Sequence, residues 1–184
     1  MRNGSIEGIE LKCPVVVESR ELRQDSCGHG KFRGGLGIDM RVRNLVEGRW
    51  NFEMPRRGKC PPWGLWGGTP GEPGSYLLKR PGERDFTIMA GSHIPVAIGA
   101  EAIVRTGGGG GWGDPLQRDA ALVAEDVAEG LISTAASRKH YGVALRGNMS
   151  LDESATARLR ERLRSARRTK KKPVKPARSK GRRR

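Results

Sequence analysis

Between Thr106 and Pro115 the chain reads Thr-Gly-Gly-Gly-Gly-Gly-Trp-Gly-Asp-Pro, and this run limits the fold more than any other segment. Six of its ten positions lack a Cβ. Such a stretch has poor helix propensity and no side chains to bury as a core strand. It joins a strand candidate at 102–106 to a helical stripe starting at Leu116. Two uses fit. Its backbone N–H groups can cradle an anion at a helix N-terminus, or it can be a close-packed structural loop or subunit contact. No Gly-Lys-Ser/Thr follows, so it is not a Walker A loop. It also lacks the spaced glycines and the βαβ context of a dinucleotide loop. Asp114, at the start of the following helix, would compete with an anion for the same N–H groups. These points favour the structural reading.

The residues before the run read as β-rich. Residues 14–18 are a β-branched run, and 38–46 alternate Ile38, Met40 and Val42 against Asp39, Arg41 and Arg43, the pattern of a half-buried strand. Further short strands are expected at 50–54, 76–78, 86–89, 94–98 and 102–106. Five prolines within 55–75 exclude a helix there. After Asp114 the period changes. Leu116, Ala120, Val123, Val127 and Leu131 form a helical stripe, with Asp114 or Asp119 as its cap and Gly130 at its end. A second helix is expected at 133–141, capped by Ser133 and closed by Gly142. A third is expected from the capping-box spacing Ser150–Glu153, with Leu151, Ala155, Leu159 and Leu163 on one face. The fold class is therefore α+β: a β-rich glycine-loop domain, then short C-terminal helices, then a disordered basic tail. The division falls at 1–163 and 164–184.

Charge divides the chain at nearly the same place. The net charge is +15, from 35 Lys+Arg and 20 Asp+Glu. Residues 158–184 hold 15 basic residues and one acid, which leaves residues 1–157 with 20 basic and 19 acidic, net +1. A nucleic-acid protein usually spreads its basic residues over a folded face, so a solubilising tail is favoured over polyanion binding as the tail's role. Three widely spaced cysteines, Cys13, Cys27 and Cys60, form no CxxC pair, and the odd count favours reduced thiols in a cytoplasmic protein. No apolar stretch suits a membrane span or a signal peptide.

Three constellations carry candidate chemistry. Residues 25–37 gather Asp25, Cys27, His29 and Arg33 among glycines. Cys27 and His29 suggest a nucleophile and base, or two metal ligands, but no further partner is marked nearby. Residues 61–68 present Trp63 and Trp66 on a proline-set backbone, suited equally to stacking a ring, anchoring a partner or pinning the loop to the core. Arg56 and Arg57 just before them could receive a carboxylate or phosphate. His93 and His140 are isolated, and His140 fits a helix-end cation.

The ordered motifs ELRQDSCGHGKFRGGLG at 21–37, PPWGLWGGTPGEPG at 61–74 and GGGGGWGDPLQRD at 107–119 resemble the hydantoinase B/5-oxoprolinase family. VAEGLIS at 127–133 and YGVAL at 141–145 extend the resemblance, which ends near Leu163. It implies a hydrolase opening cyclic amides such as 5-oxoproline or a hydantoin, or, in a carboxylase branch, an enzyme carboxylating ketones. It implies ATP, a divalent metal and a hydantoinase A-type partner subunit that uses the ATP. Family members are several hundred residues long, and this chain is similar to their C-terminal part. The expectation is a segment of a B-type subunit, inactive without its N-terminal portion, which would include the metal-ligand positions. The alternatives are a non-catalytic remnant of a split gene or polyanion binding through the tail. Cys27 and His29 stand where relatives have small residues, which weakens the nucleophile reading, and the stretch at Arg56 and Arg57 also departs from the family pattern. The residues expected to line a site or interface are Asp25, Arg33, Trp63, Gly109, Gly110 and Asp114.

Overall fold

The computed structural model describes residues 4–53 and 60–170. Arg56 and Arg57, the end of the strand expected at 50–54, and the basic tail beyond 170 lie outside the described residues.

The strands are β1 (Val15–Leu22), β2 (Ile38–Asn44), β3 (Gly48–Phe52), β4 (Ser75–Lys79), β5 (Thr87–Met89), β6 (Gly91–Val96) and β7 (Glu101–Arg105). Five of them form an antiparallel sheet in the order β1-β2-β7-β4-β5, and β3 pairs with β6 separately. The alternation in β2 has the expected result. Val42 is buried, and Met40 packs against the same core. The intervening charges meet carboxylates or cations from other strands: Asp39 with Arg105 at 3.1 Å, Arg41 with Glu101 at 3.8 Å, and Arg43 with Glu18 at 2.8 Å. Exposed pairs of this kind contribute about 0–1 kcal/mol each. Their larger effect is on register, because a one-residue slip would turn every apolar side chain to the wet face.

The helices are α1 (Ile6–Glu10), a 3-10 turn (Pro115–Gln117), α2 (Ala120–Ala128), α3 (Thr134–Ala136) running into a π-helical turn (Ser137–Tyr141), and α4 (Glu153–Lys170). The expected single stripe from Leu116 is split, and both proposed caps are used. Asp114 accepts from Leu116 N at 3.0 Å and Asp119 from Ala121 N at 2.9 Å. Arg118 lies extended between them. Ser133 caps α3 by accepting from Ala136 N, and Gly142 closes the π turn at φ +63°, a torsion that favours glycine. Asp152, not Ser150, caps α4, accepting from Ala155 N at 2.9 Å. Leu151 forms an isolated β-bridge with Leu145, so α4 starts only at Glu153 and Ser150 stands two residues before its cap.

The expected boundary at 163/164 falls inside α4, which continues to Lys170. The residues beyond Leu163 are held to the body: Arg164 Nη2 donates to Leu116 O at 3.4 Å and Arg167 Nη1 to Asp114 Oδ1 at 2.7 Å. Arginine here serves as an attachment.

Two apolar cores result. Val15, Val42, Phe52, Leu78, Val96, Ala100 and Ala102 pack between the sheet and the β3–β6 pair. Cys27, Val123, Val127, Ile132, Ala136, Tyr141 and Val143 pack among the helices. The glycine-rich loops connect them. Leu78 is fully buried in the first core, so Leu78→Ala is expected to lower unfolding free energy by about 2–5 kcal/mol, read from the shift in urea midpoint.

Candidate functional site

The three glycine-rich segments interlock backbone against backbone. The run at 107–113 lies between segment 26–37 and segment 61–72. Gly109 N donates to Gly35 O at 2.8 Å and Gly109 O accepts from Gly28 N at 2.7 Å. Gly111 N donates to Thr69 O, Gly111 O accepts from Leu65 N, and Trp112 pairs with Phe32 in both directions. Gly108 and Gly113 donate to Glu72 O and Leu65 O. At least five N–H groups of the run are thus committed to carbonyls, and the 3-10 turn that follows is capped by Asp114. Most of the donors an anion would need are engaged within the fold.

Most of these glycines are required by space, not torsion. Gly107 to Gly111 all lie outside the left-handed region, yet a Cβ on Gly108 would fall onto the carbonyl of Ser26, and one on Gly110 onto that of Trp63. Gly28, Gly34, Gly64, Gly68 and Gly71 are equally closed in by backbone. Gly35 has open space where a Cβ would project.

Asp25 and Arg33 fasten this collar to the helices. Asp25 Oδ1 accepts from Ser133 N at 2.7 Å, and Asp25 adopts φ +59°. Arg33 Nε meets Asp126 Oδ1 at 2.8 Å, while Arg118 Nη2 takes Asp126 Oδ2 at 2.8 Å. Asp126 is buried, so the two guanidiniums supply the compensation a buried carboxylate needs. Sequence reasoning missed Asp126 and Arg118, whose pairing joins positions 93 and 8 residues apart. Asp114 is bound by both Leu116 N and Arg167. Three of the candidate polar residues therefore hold the scaffold together.

His29 is buried, its Nδ1 sharing a hydrogen bond with Tyr141 OH at 3.2 Å. Its ring stacks on His140, centroids 3.9 Å apart. Neither histidine is thus an isolated surface group. Burial pushes the Cys27 thiol up from its ordinary range, which keeps it protonated and inert. No hydrogen bond joins Cys27 to His29 among the described residues, so the pair is not an activated nucleophile. Among the described residues no group of three or more His, Cys, Asp or Glu is placed to hold a metal ion, and no helix is long and apolar enough to cross a membrane. The described donor set does not fit a divalent metal.

What the collar presents outward is aromatic. Trp63 is 76% exposed and Trp66 80%, with Phe32, Leu65 and Trp112 also exposed. Phe32 and Trp112 rings lie 5.6 Å apart, and Leu65 bridges Trp112 on its other side. Trp66 and Gly67 occupy a tight turn closed by Gly68 N donating to Leu65 O, at φ +52° and +98°. Tryptophan is strained in that conformation, and its exposure shows that packing does not hold it there. The sequence pointed to Trp63 and Trp66; Phe32, Leu65 and Trp112 join them only once the segments are aligned.

A family model for hydantoinase B/oxoprolinase matches residues 1–115. The chain belongs to the hydantoinase B/oxoprolinase family. Among relatives of this family, the caprolactamase beta chain of Pseudomonas jessenii is 35% identical over 161 residues, covering 85% of this chain and 28% of that one. The B component of a putative D-/L-hydantoinase from Pseudomonas sp. (strain NS671) is 33% identical over 163 residues, covering 87% and 27%. The crystal structure of the ATP-dependent caprolactamase from Pseudomonas jessenii superposes with a TM-score of 0.70 at 32% identity, over 86% of this chain and 28% of that one. The chain spans about a quarter of the length of these relatives.

Two measurements check this geometry. Gly108→Ala is expected to abolish cooperative folding, whereas Gly35→Ala leaves stability within about 0.5 kcal/mol of the parent; both are read by thermal unfolding. The second concerns pH. Burial first, and His140 second, push the His29 pKa down from 6.5 to about 4. Between those values the unfolded chain binds more protons than the folded one, so stability falls as pH falls. His140 is shifted the same way by burial and Lys139. Urea midpoints between pH 7.5 and 4 should register a loss of about 3 kcal/mol from His29 alone, and His29→Gln should remove that part of the slope.

Proposed function

We propose that this chain is the glycine-collar segment of a B-type subunit in an ATP-dependent enzyme that opens cyclic amides, acting with a hydantoinase A-type subunit. The observation that carries the assembly part of this reading is the strained, exposed Trp66 beside Phe32, Leu65, Trp63 and Trp112. A strained backbone persists where function maintains it, and exposed clustered aromatics are typical anchors of a protein interface. In this reading Gly109 and Gly110 set the spacing of the platform. Asp25, Arg33 and Asp114 fix it to the helices, and Trp63 and Trp66 contact the rest of the subunit or its partner. The cyclic-amide chemistry is carried over from the caprolactamase and hydantoinase relatives, with ATP and metal assigned to segments other than those described here.

Two experiments test it. The chain is assayed alone, and then with an A-type subunit and the remaining B-type region, for ATP-dependent ring opening of caprolactam, hydantoin and 5-oxoproline with ADP release as readout. Lactam-dependent ADP release is expected only in the reconstituted mixture; turnover by the chain alone would overturn the proposal. In parallel, Trp66→Gly relieves the left-handed strain. It is expected to leave stability unchanged or raise it by up to about 1 kcal/mol, while reducing association with the reconstituting polypeptides at least about tenfold. Unchanged association would remove Trp66 from the interface.

A further inference from the structure

Helix α4 carries arginine on two faces, and only one is used by the fold. Arg160 Nε donates to Tyr141 O at 3.1 Å and its Nη2 to Arg118 O at 2.6 Å. Arg164 and Arg167 reach Leu116 O and Asp114. These three, spaced by four and three residues, bind the helix to the body.

Arg158 and Arg162, one turn apart, take no part in that attachment. With Arg138 from the π-helical turn they line an open cavity of about 420 Å³ whose apolar wall includes Leu145 and Leu159. None of the three guanidiniums has a hydrogen bond or ion pair among the described residues. The residues outside the described set contain no Asp or Glu. The one acid lining the cavity is Asp152, whose Oδ1 accepts from Ala155 N at 2.9 Å and Ser154 Oγ at 3.1 Å as the cap of α4. Three cations and one committed carboxylate give the cavity a net charge of about +2 by formal charge. Bringing guanidiniums together from two elements costs like-charge repulsion, and the single carboxylate of Asp152 in the cavity wall offsets only part of it.

We propose that the cavity between the π-helical turn and α4 binds an oxyanion of the phosphate class through Arg138, Arg158 and Arg162. Planar guanidinium forks suit phosphate oxygens. Such a group occurs free, as in pyrophosphate, or along a nucleic-acid backbone. The basic residues 171–184 add general attraction for either.

The test uses the full chain, with pyrophosphate followed by calorimetry and a single-stranded oligonucleotide by fluorescence anisotropy. The variants are Arg138→Gln, Arg158→Gln and Arg162→Gln. Arg168→Gln, an exposed α4 position without a partner among the described residues, is the control. A chain lacking 171–184 separates pocket from tail. Pyrophosphate affinity is expected to fall about tenfold for each of the three arginines removed and to be unchanged in Arg168→Gln and in the shortened chain. Arg158→Lys, which keeps charge but not the fork, should lose less than Arg158→Gln. Helix content by circular dichroism guards against unfolding. If the shortened chain still binds the oligonucleotide and the same three variants weaken it, the backbone phosphate is the source. If oligonucleotide binding disappears with the tail while pyrophosphate binding stays, the free group is. No pyrophosphate binding by the parent, or an equal loss in Arg168→Gln, would overturn the proposal.

Discussion

Close contact between main chains, with no side chain interposed, is the constraint on which the rest of the structure depends. Where Gly108, Gly110 and Gly111 pass Ser26, Trp63 and His29, the neighbouring surface is backbone carbonyl. Each such approach is possible only without a Cβ, and it lets hydrogen bonds run to both flanking segments. The sheet core on one side and the helical core on the other are joined through this layer. Ser26 shows the coupling: its carbonyl accepts from Glu72 N, its hydroxyl accepts from Gly37 N, and Cys27 beside it enters the helical core.

Side-chain contacts then lock the layer in position. Asp25 holds the first segment to the start of α3, and Asp126 draws Arg33 and Arg118 together. A buried carboxylate between two guanidiniums is costly to break, about 3–5 kcal/mol when one partner is lost, and this makes it a strict spacer between collar and helices. On the opposite side the collar has no protein covering it among the described residues. There the aromatic side chains stand in solvent, and one of them occupies a backbone conformation that disfavours it.

Much of the secondary structure was legible because it rests on local chemistry. The alternation of β2, the caps Asp119 and Ser133, and the closing Gly142 are all written within a few residues of where they act. Local signals failed where two candidates competed. Ser150 offered the capping-box spacing, yet Asp152 took the role. Helix α1 escaped notice because five residues give almost no periodicity; its sign was Ser5, whose hydroxyl accepts from Gly8 N. The site was less legible. Its glycines were visible as a concentration of one residue type, and the motifs carried the family. Nothing local joined Arg33 to Asp126 or His29 to Tyr141, since those pairings span 93 and 112 residues. The length of α4 was hidden by its own composition, because arginine-rich sequence reads as solvated until its acceptors, here the carbonyls of Leu116, Arg118 and Tyr141 and the Asp114 carboxylate, are in view.

The glycine layer also changes what an irregular segment means in this molecule. Residues 106–111 belong to no helix or strand, and glycine-rich coil ordinarily suggests freedom of movement. Here Gly109 is paired through both N–H and C=O with segment 26–37, and Gly111 with segment 61–72, while Gly111 is also closed in by the His29 carbonyl, so freeing the run requires it to part from both neighbours. Hydrogen exchange at these amides should then follow the slowest openings of the protein, later than the short outer strand β5, which is regular in geometry but paired along one edge. Rigidity in this fold is concentrated in residues that have no side chains at all.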